Sequence, residues 1–330
     1  MGHCRLSQII HGIRPVYLPE RGIMMVDQPL AEEVNPDIHP LPARMITMFK
    51  KTAIAAAVGL TLSVGAQADY RWQLDGQAGR TNIDVGNDDG DVDQFGIGGR
   101  FYFDDVDTSN GPLGEAAFLD HASYVGAGYV YTDLDDIIDD LDGDTYGINA
   151  RYVLPLESIP LIFEGSWTRE TPEFSDIDYF SIGFGAYLTD TTTVILTYRT
   201  SDIDETSEVD AGDIDAYELA VEHLWHLDGD AAIKVEGSYG LIDVDGSDVN
   251  DGDDIDSWDI GGTWYVNSNL GFGLAYSRFD NFGIEEDTYG VSAEWFVNED
   301  IGLSLGYAHS EVDDTDVESD AIVLGAELRF

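Results

Sequence analysis

From Tyr70 to the C-terminus, apolar and polar residues alternate in segments of about 10 to 13 residues, and no helical period interrupts them. The last segment shows the pattern best. In Asp320 to Phe330 (DAIVLGAELRF), Ile322, Leu324, Ala326, Leu328 and Phe330 share one parity, and Glu327 and Arg329 take the other. This is a two-faced strand, and the chain stops on its aromatic residue. Fourteen such segments are predicted, near 70–82, 92–103, 121–132, 145–154, 161–169, 178–188, 192–201, 215–226, 231–242, 257–266, 270–279, 288–297, 301–310 and 320–330. Their length suits strands that cross a bilayer at a tilt, and an even count returns both ends to one side. The fold class is therefore all-β: a transmembrane antiparallel up-and-down β-barrel of about 14 strands, with 12 or 16 as alternatives. A soluble β-sandwich would alternate as well, but it would need neither an export signal nor a closing aromatic strand.

The connections are of two kinds. After even strands they are mostly tight, as at Thr189-Asp190-Thr191, Asn267-Ser268-Asn269 and Asn298-Glu299-Asp300; after odd strands they are longer and acidic, as over Asp133 to Asp144 and Asp243 to Asp256. Short turns face the periplasm and long loops face outward in barrels of this kind, so both termini are predicted on the periplasmic side. One joint breaks the rule: Asp104 to Asp120 (DDVDTSNGPLGEAAFLD) is long yet falls on the short-turn side, as a short helix or an inward fold would.

Parity separates two faces. Phe95, Ile97, Phe101 and Phe103, then Tyr146, Ile148 and Tyr152, and later Trp258, Ile260, Trp264 and Val266 lie on the predicted lipid face, with aromatics toward both strand ends. The opposite parity carries charge, glycine and small polar residues, as a wet lumen requires. The basic pore-lining candidates are Arg71, Arg100, Arg151, Arg199, Lys234 and Arg329; the acidic ones are Glu164, Glu218, Glu222, Glu236, Asp259, Glu294 and Glu327. The signs lean to opposite halves of the wall, which would set a transverse field in a narrow pore. Cross-strand salt bridges that brace or plug a small barrel would use the same residues. Arg80, Arg169 and Arg278 lie at the outer strand ends on or near the lipid parity. They are candidates for lipopolysaccharide contact, since guanidinium binds phosphate bidentately.

Upstream, Lys50 and Lys51 precede the apolar run Thr52 to Val64 and then Ala66-Gln67-Ala68. That order is a signal peptide over 48–68, cleaved after Ala68, leaving 69–330 as the outer-membrane β-barrel. Residues 1–47 fit no signal and are read as an upstream leader, either a mis-assigned start or disordered. The single cysteine, Cys4, lies in that leader, so the exported part has no disulfide framework.

Of the 65 acidic and 15 basic residues, five acidic and six basic precede residue 69, so the exported part holds 60 and 9 and carries a formal charge of −51. Such a chain should avoid nucleic acid and concentrate cations. With acidic loops outside and an acidic half-wall inside, cation preference is expected. Asp-rich loops such as Asp243 to Asp254 offer oxygen ligands for Ca²⁺, but without EF-hand spacing, and no cofactor is expected. No P-loop, G-x-S-x-G or zinc spacing occurs after residue 68, so no enzyme is expected.

The start YRWQLDGQAG (Tyr70 to Gly79), the SNGPLGEAAFL segment (Ser109 to Leu119) and the terminal ELRF resemble the general porins of Gram-negative bacteria, and the strand grammar extends the likeness over 69–330. The resemblance implies a passive outer-membrane channel for small hydrophilic solutes, embedded in lipid and lipopolysaccharide. It also implies that Phe330 is the insertion signal read by the barrel-insertion machinery. The chain departs from the large trimeric porins in having fourteen strands and no constriction loop after strand five, which leaves the oligomeric state open. The alternative is a structural or adhesive barrel whose acidic loops bind cations and which has no open pore.

Overall fold

The computed structural model describes residues 69–85, 88–135, 141–172, 176–203, 214–244, 255–281, 284–313, 315 and 317–330. The leader, the signal segment and the tips of several acidic loops, with their Ca²⁺ candidates, lie outside the described residues. Fourteen strands follow in order: β1 (Asp69–Val85), β2 (Asp88–Asp107), β3 (Tyr124–Asp135), β4 (Leu141–Leu154), β5 (Leu161–Pro172), β6 (Ile177–Thr189) and β7 (Thr192–Ile203), then β8 (Ile214–His226), β9 (Ala232–Val244), β10 (Ile255–Asn267), β11 (Leu270–Asn281), β12 (Ile284–Asn298), β13 (Ile301–Val312) and β14 (Val317–Arg329).

Each strand pairs antiparallel with its neighbours in sequence, and β1 closes on β14 from Gln73↔Arg329 to Val85↔Val317. Closure leaves no strand edge without a partner, which a bilayer requires. Phe330 completes the seam, its amide donating to Trp72 O at 2.9 Å and its carbonyl accepting from Trp72 N at 2.8 Å. At the short-turn end the register shifts by one residue in β6, β10 and β12 beside their turns, and by three between β1 and β2, where Tyr70↔Val106 is followed by Trp72↔Phe101. Such bulges sharpen local twist and bend a strand toward its turn. The turns themselves are held by local acceptors: Asn298 Oδ1 takes the amides of Asp300 (3.1 Å) and Ile301 (2.8 Å), and Gly229 adopts φ +76° in the β8–β9 turn.

Apolar side chains cover the outside. Ile182 and Leu274 expose 67% and 69% of their surface, and Ile148, Phe184, Leu219, Trp264 and Leu305 are also exposed on that face. An apolar band of that extent is what hydrocarbon contact demands and what water would not tolerate.

At the long-loop end the lipid-facing parity repeats one device in all seven outer hairpins. Each even strand opens with an aspartate two residues before the outward row: Asp93, Asp144, Asp178, Asp215, Asp256, Asp287 and Asp320. The odd strand supplies its donor. Tyr129, Tyr198 and Tyr239 hydroxyls donate to Asp144, Asp215 and Asp256; Trp167 and Arg169 donate to Asp178; Tyr276 and Arg278 to Asp287; Tyr307 bonds Asp320, which His309 also contacts; and Arg80 pairs with Asp91 and Asp93. The chemistry explains the recurrence, because a carboxylate at the edge of the hydrocarbon must be hydrogen-bonded to stay there.

Candidate functional site: the lumen and its periplasmic mouth

The long joint after β2 folds into the barrel. Following Asp107, whose carboxylate accepts the Ser109 amide at 2.8 Å, a 3-10 turn (Leu113–Glu115) runs into a one-turn helix, α1 (Ala116–Leu119). The sequence expectation of a short helix or inward fold is met by both at once. Pro112 starts the turn with a fixed φ of −58°. His121 ends the segment at φ 52°, in the left-handed region, its ring against Tyr187 at 3.8 Å between centroids. The Ser109–Ala122 segment is called the plug below.

Each side of the plug meets the wall differently. Phe118 is 1% exposed and packs with Val153, Ile162, Tyr187, Ile195, Leu224, Ala232 and Tyr265, which are the inward residues at the periplasmic ends of β4 to β10. Here the polar-in rule is reversed because those positions face the plug and not water. Glu115, also buried, receives Lys234 Nζ at 3.1 Å and the Tyr265 hydroxyl. Lys234 in turn lies 2.8 Å from Glu222 and 3.5 Å from Glu236, so one buried cation joins the plug to the wall of β8 and β9. On the far side, Arg329 ion-pairs with Glu327, donates to Leu113 O at 2.8 Å, and lies between Tyr70 and Phe296, 4.6 and 4.5 Å from their ring centroids. The Leu113 amide reaches Ser268 O in the β10–β11 turn at 2.8 Å, and His121 Nε2 lies 3.2 Å from Asp190 O in the β6–β7 turn. The plug is thereby tied across the whole mouth.

Between the plug and the wall of β10 to β2 a polar cavity of about 70 Å³ remains, bordered by Arg100, Gln73, Thr263, Ser292, Glu294 and Ser304 among others. Gly114 borders it from the plug, where a methyl group would overlap the Glu294 carboxylate.

The remaining candidates are placed as follows. Arg151 and Glu164 share the inward parity of β4 and β5 and pair at 2.6 Å; Asp259 accepts the Ser238 hydroxyl; Arg199 and Glu218 lie on the inward parity of β7 and β8, two residues apart in register. Lys234, Glu327 and Arg329 are buried against the plug, so they brace the mouth. Arg71 departs from the expectation: the β1 bulge turns it out of the lumen, and it pairs at the exposed rim with Asp105. Arg80, Arg169 and Arg278 do face outward, but each guanidinium is engaged by aspartates of its own hairpin, and Arg278 also by Glu285 at 2.9 Å, so none is an isolated phosphate site. Glu115 and Phe118 were not anticipated. Their signal was a buried-type cluster, LGEAAFL, inside a connection that should have been polar.

A family model described as "Putative general bacterial porin" matches residues 53–330. The chain belongs to that porin family. Among solved structures, the outer-membrane protein Omp33 of Acinetobacter baumannii is similar with a TM-score of 0.57 at 22% identity, over 80% of this chain and 100% of that one. The KdgM porin matches at a TM-score of 0.36 and 11% identity, over 77% and 99% of the two chains. The toluene transporter TodX of Pseudomonas putida matches at 0.45 and 11%, over 80% and 90%. No functionally curated protein matches in sequence. The porin is thus an outer-membrane barrel of fourteen strands, and its likeness to Omp33 is one of fold.

Proposed function

We propose that this porin is a passive diffusion channel for small hydrophilic solutes with a preference for cations, exported by a signal peptide cleaved after Ala68. The observation that carries the reading is the charged, small-residue inner wall of a closed barrel in a porin family, with a cavity left between the plug and the wall at the periplasmic mouth. Cation preference rests on the excess of carboxylates: Glu164, Glu218, Glu222, Glu236, Asp259, Glu294 and Glu327 lie on the inward parity with Arg100, Arg151, Arg199, Lys234 and Arg329, and 60 acidic residues stand against 9 basic ones after residue 68. Refolded protein in a planar bilayer across a salt gradient should show single-channel steps and a reversal potential of cationic sign. An anionic sign would sink the selectivity, and the absence of steps would sink the channel.

One observation favours a second reading, a barrel without a standing pore: the plug is bonded to β9, to β14 and to two turns. If that reading holds, Glu115→Gln should create conductance that the unmodified protein lacks.

A further inference from the structure

We infer that glycines standing directly across from polar lumen side chains are the residues that set the bore of the barrel, and with it the size limit for solutes. The inference rests on the channel reading above and adds what determines its width. Side chains of a strand stand roughly perpendicular to the sheet, so an inward one should by default reach toward the barrel axis. Here several lie along the wall instead. A methyl group on Gly96 of β2 would fall 2.8 Å from both Cγ and Nε2 of Gln77, its partner on β1, so the Gln77 side chain occupies the place where one of residue 96 would be. Across β9 and β10, Ser257 lies in the same way over its partner Gly240, and Glu236 over Gly261, at 2.7 and 2.9 Å from the carbon that each glycine lacks. Beside the plug, the Ser304 hydroxyl lies over its partner Gly325 and the Ser292 hydroxyl over Gly273.

Direct cross-strand partners on one face carry Cβ atoms about 5 Å apart, so a side chain that folds onto its neighbour's backbone needs a neighbour without one. The glycine is a seat for the polar group. Two of these seats have no substitute: the other partner of Gln77 is Gly325, already covered by Ser304, and the other partner of Ser304 is Glu294. A methyl group at Gly96 or Gly325 would therefore turn Gln77 or Ser304 to another staggered rotamer, inward, while the register is kept, because the close overlap at each is with a side chain and not with backbone. Gly306 on β13 is the contrasting case. The space above it is open, since its partner Ser292 leans the other way onto Gly273, and a methyl group there displaces nothing. Pore diameter helps to decide which solutes pass, so a wall that holds its polar groups flat admits wider solutes with no change of charge.

Single-channel conductance and liposome swelling test this with the exported chain, unmodified and as Gly96→Ala, Gly325→Ala, Gly96→Ala/Gln77→Ala, Gly325→Ala/Ser304→Ala and Gly306→Ala, all checked for barrel folding by heat-modifiable migration. The swelling solutes are glycerol, arabinose, glucose and sucrose, neutral and rising in size. Gly96→Ala should lower conductance and slow the largest sugar that the unmodified protein admits several-fold, and Gly325→Ala should do the same to a smaller extent. Each double variant should return to within twofold of the unmodified protein, and Gly306→Ala should match it throughout. If Gly306→Ala narrows the channel as much as the other two, or if the doubles stay as low as the singles, the added methyl group and not the displaced side chain is responsible, and the seats are refuted while the channel stands. Unchanged conductance and swelling in both single variants refutes them as well. If the unmodified protein gives neither conductance steps nor glycerol entry, the channel reading itself falls, and the bore with it.

Discussion

The two sectors of the periplasmic mouth are built from opposite chemistry on the same scaffold. From β4 to β9 the inward strand ends are apolar and the plug lies against them through Phe118, with the Lys234 cluster adding charge above. From β10 to β14 glycine, serine and threonine stand among Tyr265, Glu294 and Arg329, and a cavity separates part of that wall from the plug. In the first sector the segment gains the burial of Phe118 and the Lys234 cluster; in the second it gains the Arg329 to Leu113 O bond, the Tyr265 hydroxyl on Glu115 and a turn contact. A constriction need not be centred, and here the difference in wall chemistry decides on which side it lies.

The largest expected effect follows from removing the cation of the sealed sector. Lys234→Met removes the cation that Glu115, Glu222 and Glu236 share, and breaking a buried ion pair by deleting one member typically costs about 3–5 kcal/mol. The plug should leave the wall, so single-channel conductance should rise severalfold and proteolysis should reach the Ser109–Ala122 segment. Unchanged conductance and protection would show that the cluster does not hold the plug.

Next in size is Phe118→Ala. Loss of a buried phenylalanine costs about 3–5 kcal/mol in a well-packed core, and less at a site open to a lumen that can refill with water. Conductance should rise, but by less than in Lys234→Met, because the ion cluster still anchors Glu115. The equivalent change in the other sector, Ser304→Ala, should leave plug protection unaltered. If the serine change loosened the plug as much as the phenylalanine change, the contrast between the sectors would be wrong.

The barrel was largely legible in the sequence because a bilayer imposes period-two patterning on every strand and tight turns on one end. All fourteen predicted segments lie within or close to observed strands; β2 extends past its predicted end to Asp107, and β3 starts at Tyr124 instead of residue 121, where the plug intervenes. Inward parity also placed Lys234, Glu222 and Glu236, yet it could not show that they form one cluster, since Glu115, the group that gathers them, lies on the plug and belongs to no strand register. Arg71 was misplaced for a similar reason, as the irregular pairing of β1 with β2 between Tyr70 and Trp72 reverses parity and leaves no mark in composition. The aspartate ring at the outer rim was readable as an Asp-x-aromatic opening of the even strands, as in Asp144-Thr145-Tyr146 and Asp287-Thr288-Tyr289, but its meaning depended on knowing which parity meets lipid.

The smallest expected effect is on pH dependence and concerns the hinge between plug and β3. Burial chiefly raises the Asp120 carboxyl above its ordinary range, against the Asp107 amide bond at 3.3 Å, with Asp107 and Asp69 adding repulsion and His121 opposing it. Asp107 shifts the other way, held down mainly by hydrogen bonds from the Ser109 side chain and amide and less by Asn110. A carboxyl raised in the docked state binds its proton more tightly there, so its contribution to docking is full below the ordinary carboxylate value and is lost as pH rises through the raised one. Asp107 contributes above its ordinary value and loses that contribution as pH falls through its lowered one. Docking should therefore be tightest in a window between the two, around and just above the ordinary carboxylate range. Channel conductance should fall as pH is lowered from neutral toward that window, by less than about threefold since both groups are partly solvated. Asp120→Asn should abolish the fall on the neutral side and leave any rise at lower pH. A profile in Asp120→Asn identical to that of the unmodified protein would assign the pH response to other groups.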